Sequence, residues 1–176
     1  MSLEHKFKGT TIKVLKDDLT AMDVEAFVFY ARPDLALGSG YGTAIAQRGG
    51  PAVTEELKAL GEQAVGAAVI TGGGELKAKH IIHAVGPAFQ EEALEAKLKQ
   101  TLDNVFKRAA EKGIVQLALP PMGTGFYGVS LDTAAEITVK ALREHLQGTS
   151  NLKEVILCMR DTKELKPFET RVGALN

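Results

Sequence analysis

Two glycine-rich stretches carry the residue types best suited to holding an anion. Leu37-Gly38-Ser39-Gly40-Tyr41-Gly42 runs into Thr43-Ala44-Ile45, and Gly123-Thr124-Gly125-Phe126-Tyr127-Gly128 runs towards Leu131. Each follows an apolar, strand-like segment and precedes a helical one. A phosphate needs inward-pointing backbone N–H groups with no Cβ in the way, beside a helix N-terminus whose dipole favours negative charge. A single such loop is as well explained as a tight connection, but two of them in equivalent positions suit a diphosphate with a sugar or base at each end. No Gly-Lys-Ser or Gly-Lys-Thr follows either cluster, which excludes a P-loop. Gly123, Gly125 and Gly128 satisfy G-x-G-x-x-G, and Asp161 ends the next strand. Even so, the gap from Gly128 to Asp161 is too long for a dinucleotide fingerprint, and Pro120-Pro121 interrupts the strand-to-turn junction.

Other reactive side chains are less suited to chemistry. His80 and His83 lie three apart on a strand, point to opposite faces and cannot chelate one ion together. His83 reads as a hydrogen-bonded structural histidine. Cys158 sits in an unbroken apolar strand and reads as an inert core residue. No metal-ligating cluster is apparent and no cofactor is called for.

The loops need a scaffold, and the pattern along the chain supplies one. Thr10 to Leu15 alternates, with Ile12 and Val14 on one face, and Ala26 to Tyr30 is a short apolar run, so both predict strands. Pro51 opens a helix through Leu60. Ala67 to Thr71 and His80 to Val85 are strand-like and joined across Gly72-Gly73-Gly74, which predicts antiparallel neighbours. From Glu91 to Lys112, Leu94, Leu98, Leu102, Val105, Phe106 and Ala109 share one helical face, with Gly113 placed to end the helix. Gln116 to Leu119 is a strand, and Leu131 to Leu146 a helix with Ala135, Thr138, Leu142 and Leu146 inward. Val155 to Met159 lacks alternation, which predicts burial on both faces. Asp161 and Thr162 are placed to cap a last short helix. Strands alternating with helices, plus one hairpin, give α/β class: a three-layer α/β/α sandwich with a central mixed β-sheet. In such folds ligands bind beyond the carboxyl ends of the strands, where both glycine loops fall.

Composition sets the outer bounds. The chain has 176 residues, 45% hydrophobic and 24% charged, so a single domain over residues 1–176 with an ordinary core is expected. The opening Met1-Ser2-Leu3 reads as a cloning scar, and residues 1–8 as a flexible lead-in. Its 21 Lys and Arg against 22 Asp and Glu give a net charge of -1, which argues against nucleic acid and membrane surfaces as partners. A single cysteine and a start without an apolar stretch point to a reducing, cytoplasmic setting.

Five segments, in order, carry a resemblance: Lys16-Asp17-Asp18-Leu19-Thr20, Val24-Glu25-Ala26-Phe27-Val28, Leu37-Gly38-Ser39-Gly40, Ile82-His83-Ala84-Val85-Gly86-Pro87 and Gly123-Thr124-Gly125-Phe126-Tyr127-Gly128. Together they resemble the motifs of the macro domain family, of the ADP-ribose 1″-phosphate processing type. The resemblance implies a domain that binds ADP-ribose or a related small nucleotide, free or attached to protein. Position by position, it implies that Asp18 accepts from the adenine amino group with Leu19 beside the base. Gly38, Ser39, Gly40 and Tyr41 match the first phosphate loop, and Gly123, Thr124, Gly125 and Phe126 the second. Tyr127 would cover the distal ribose or simply pack in the wall.

Two departures bear on catalysis. Active relatives carry an Asn-Ala-Ala-Asn segment where this chain has Phe29-Tyr30-Ala31-Arg32, and an Asp where it has Gly42. Neither Gly nor a permanently protonated Arg can act as a general base. Arg32 is therefore expected either to reach the ligand or to pair with Asp34 on the surface, and no catalytic residue can be named. The expectations are thus a binding module or, alternatively, an ADP-ribosyl hydrolase, deacetylase or phosphatase using a ligand-assisted water. RNA binding through an adenine pocket is a third reading, which the charge disfavours.

Overall fold

The computed structural model describes residues 2–176, so Met1 of the expected scar lies outside the described residues. The chain runs β1 (Leu3–Phe7), β2 (Thr10–Lys16), β3 (Ala26–Ala31), α1 (Tyr41–Gly49), α2 (Pro51–Leu60), β4 (Ala68–Gly72), β5 (His80–Val85), α3 (Leu94–Lys112), β6 (Gln116–Leu119), α4 (Leu131–Gln147), β7 (Glu154–Met159) and α5 (Leu165–Gly173). The 7-stranded sheet has the order β1-β2-β7-β6-β3-β5-β4. Strands β2, β7, β6, β3 and β5 are mutually parallel, while β1 and β4 close the two edges antiparallel.

Helices cover both faces. On one, Leu98, Leu102 and Phe106 of α3, Leu142 and Leu146 of α4, and Phe168 and Val172 of α5 pack on Val28, Ile82, Leu117 and Leu157. On the other, Ile45, Val53 and Leu57 of α1 and α2 pack on Phe27, Ile81, Ala118 and Ile156. Strand β7 feeds alternate side chains to the two layers, Val155 and Leu157 to the first, Ile156 and Cys158 to the second. An apolar residue at every position is what that placement demands.

Local signals account for most boundaries. Ser130 caps α4 by accepting from the Thr133 N–H, and Gly113 ends α3 in a left-handed conformation. Asp161 and Glu164 form a reciprocal capping box that starts a single turn leading into α5. His83 is 1% exposed and its Nε2 lies 2.9 Å from Thr71 Oγ1, joining β5 to β4 across the hairpin. Desolvation pushes its pKa down to about 4, so it sits there as the neutral ring.

Two expectations are corrected. Residues 3–7, expected to be flexible, form β1: Phe7 is 3% exposed in the core, and His5 Nε2 lies 2.8 Å from the carbonyl of Leu175. Helix α3 starts at Leu94, not Glu91. Gln90 and Ala93 both take positive φ, and Glu91 instead accepts from Ala88 N–H and pairs with Lys97.

Candidate functional site

The parallel strands all end on one edge of the sheet, and the loops that follow them enclose a cleft of about 720 Å3. The loop after β3 contributes Arg32 and Leu37 to Tyr41, the loop after β6 contributes Pro120 to Tyr127, and the loop after β7 contributes Arg160 to Glu164. Both glycine loops therefore face one space, the arrangement a diphosphate requires. The first loop feeds directly into α1, where the Gly42 and Ala44 N–H groups donate back to the Ser39 and Gly40 carbonyls.

A second cavity continues from this cleft through Gly40, Tyr41 and Arg160, and is walled by Asp18, Arg48 and Ala44. Asp18 both caps a turn and faces the cavity. One carboxylate oxygen accepts from the N–H and hydroxyl of Thr20, the other from Arg48 at 3.0 Å. The Thr20 hydroxyl, then Arg48, hold its carboxyl below the ordinary range against the opposing effect of partial burial. It is thus an anionic acceptor already positioned by neighbours. The Arg160 guanidinium lies 5.4 Å above the Tyr41 ring, between the two cavities. The Tyr41 hydroxyl is buried without a hydrogen-bond partner among the described residues, and burial pushes its pKa up to about 12.

At the opposite end, aromatic rings close the cleft. Tyr30 and Tyr127 approach to 4.4 Å between centroids, and the Tyr30 hydroxyl donates to the Pro87 carbonyl at 2.5 Å. Burial pushes the Tyr30 hydroxyl far above its usual pKa, so it remains a neutral donor. The Tyr30 ring packs against Gly86, where an added Cβ would come within 2.2 Å of it. Phe126, at the tip of the second loop, is 84% exposed. Arg32 also reaches this end, and its guanidinium pairs with Asp34 at 2.9 Å with both side chains about half exposed.

All the residues nominated from sequence face these connected cavities except Leu19. Its side chain is 0% exposed and packs in the layer beneath α1, because the turn that presents Asp18 outward turns the next side chain inward. Gly42 does not line the cleft at all. A Cβ there would fall 1.6 Å from the Leu37 carbonyl oxygen, so this loop conformation admits no side chain at that position. The sequence reading missed Arg48 and Arg160 as wall residues. Tyr41, Ala44 and Arg48 share a helical face by their spacing, and Arg160 directly follows a parallel strand, so both signals were present. Cys158 is buried, donates weakly to the Asp17 carbonyl, and burial pushes its thiol up to about 12.

Fold and cleft together define an α/β/α domain whose site lies at the carboxyl edge of its sheet. The macro domain family profile matches residues 31–138. A macro domain-containing protein of Caldanaerobacter subterraneus is 39% identical over 153 residues, covering 82% of this chain and 85% of that one. An Enterobacter protein named O-acetyl-ADP-ribose deacetylase is 42% identical over 141 residues, covering 77% and 78%. The Oceanobacillus iheyensis macrodomain solved with ADP superposes with a TM-score of 0.91 at 22% identity, covering 98% of this chain and 96% of that one. The chain belongs to the macro domain family.

Proposed function

We propose that the cleft binds ADP-ribose, free, O-acetylated or attached to protein, and that this chain is a binding module. The observation that carries the reading is the convergence of both glycine loops on one cleft, whose volume of about 720 Å3 is in the range of small-ligand sites. The diphosphate lies between the loops within reach of Arg32, the adenine amino group meets Asp18, and the distal ribose meets Tyr30 and Tyr127. A carboxylate suits an amino donor because it only accepts. Leu19 takes part through its place in the core beneath the base. The solved relative with ADP and the name of the Enterobacter relative support the same ligand class.

Binding without rapid turnover follows from the side chains at the distal end. Arg32 cannot accept a proton and Gly42 has no side chain, so no base from either position activates water. The carboxylates that line the cleft, Asp161 and Glu164, are engaged in the capping box that starts the turn before α5. Calorimetric titration with ADP-ribose, AMP and NAD tests the reading: ADP-ribose gives a saturable heat, and no heat with it ends the proposal. A second reading, deacetylation or hydrolysis through a water held by the ligand's own diphosphate, is favoured by the name of the Enterobacter relative. Product release from O-acetyl-ADP-ribose or a mono-ADP-ribosylated protein above the buffer rate selects it.

A further inference from the structure

A third cavity, of about 580 Å3, opens where the loop after β3 meets those after β5 and β6 and the segment between α2 and β4. It shares Arg32, Phe126 and Tyr127 with the main cleft, so it begins where the distal ribose would end. Two large apolar side chains stand at its rim in water, Phe126 at 84% and Phe89 at 55% exposure. Neighbouring exposed aromatics beside a cleft mark an interaction surface more than isolated ones do. The Phe89 ring is seated over Gly128, which fixes it against the second glycine loop.

The cavity's charge is one-sided. Arg32 is its single cation and already pairs with Asp34, which leaves Glu62 and Glu91 in the wall. Glu91 is held by Lys97, which lies outside the lining, whereas Glu62 makes no ion pair among the described residues. Aromatic faces beside a free carboxylate are the elements that recognise a cationic side chain.

We propose that this cavity is an acceptor site for the polypeptide that carries the ADP-ribose group, taking a Lys or Arg close in sequence to the modified residue. The inference rests on ADP-ribose occupying the main cleft, because the group joined to the distal ribose is then delivered into this cavity. An acetyl group alone would leave most of it empty and would use neither the aromatic rim nor Glu62.

The test titrates the intact chain by calorimetry with free ADP-ribose and with two ADP-ribosylated peptides, one flanked by Lys and Arg, the other by Asp and Glu. The basic peptide binds about threefold to thirtyfold tighter than free ADP-ribose, the sum of one exposed cation–π contact and one surface ion pair, and the acidic peptide binds more weakly. Glu62→Gln reduces that advantage while leaving the affinity for free ADP-ribose unchanged, since Glu62 does not line the main cleft, and Phe89→Ala reduces it as well. Equal affinity for all three ligands, or an advantage untouched by both substitutions, overturns the acceptor site while the ADP-ribose reading stands. If free ADP-ribose itself fails to bind, that reading falls and takes the acceptor site with it.

Discussion

Arg32 stands where the main cleft meets the acceptor cavity, and in the free protein its guanidinium rests on Asp34. An exposed pair of this kind contributes little to stability, so the arginine is free to exchange a carboxylate for a phosphate at small cost. Arg32→Ala should lower ADP-ribose affinity about tenfold, the value of one charge-assisted bond to phosphate, with unchanged unfolding in urea. Unchanged affinity by calorimetry would return Arg32 to a surface role. Gly42 carries the opposite lesson. Because its Cβ would collide with the Leu37 carbonyl, Gly42→Asp should destabilise the fold by about 2–3 kcal/mol in urea unfolding and should not create hydrolysis. In the sequence this position is simply a missing acid. The structure adds that the first loop folds back onto α1 so closely that restoring an acid requires rebuilding the loop, which no motif could reveal.

Among the elements, β5 carries a pH dependence. His83 is buried on β5, bonded to Thr71 of β4, as a neutral ring with its pKa depressed to about 4 from an unfolded value near 6.5. Its folded pKa lies below the unfolded one, so the unfolded chain takes up a proton first as pH falls. The stability present above about pH 6.5 is therefore lost between there and about 4, on the order of 3 kcal/mol in total. Urea unfolding at pH 7, 5 and 4 should show this loss, and His83→Gln should flatten it. Carboxylates with lowered pKa, Asp18 and Glu154 among them, act in the same direction but at lower pH, and remain in the variant. The other elements were legible to differing degrees. Strand β7 announced its double burial by its unbroken apolar run, and α3 its buried face by periodicity. Strand β1 had a local signal, since it pairs with β2 across a two-residue turn in which Lys8 and Gly9 both take positive φ, but its charged, alternating residues resemble an exposed lead-in. Its hold on the far end of the chain, His5 against the Leu175 carbonyl, has no local pattern at all.

For the whole molecule, the sheet acts as a rigid frame that brings five loop segments to one edge, and ligand binding should be felt by the frame. ADP-ribose at 100 times its dissociation constant should add about 2.7 kcal/mol to unfolding. For a chain of this size that is a rise in Tm of about 5–10 °C, read by calorimetric scanning as one cooperative transition. No shift with ADP-ribose, or a shift equally large with AMP, would contradict the assignment of the main cleft. The ordered glycine motifs made that cleft legible in the sequence, whereas the acceptor cavity arises from the loops after β3, β5 and β6 and the segment between α2 and β4, which meet only in the folded chain. One buried residue has a practical consequence for such measurements. Cys158 is the single thiol of the chain, and its proton is held up to a pKa of about 12, so at neutral pH it is silent towards alkylating dyes. A cysteine introduced on an exposed rim position outside the ligand contacts would be the sole label site, and a fluorophore there would report ligand arrival in real time.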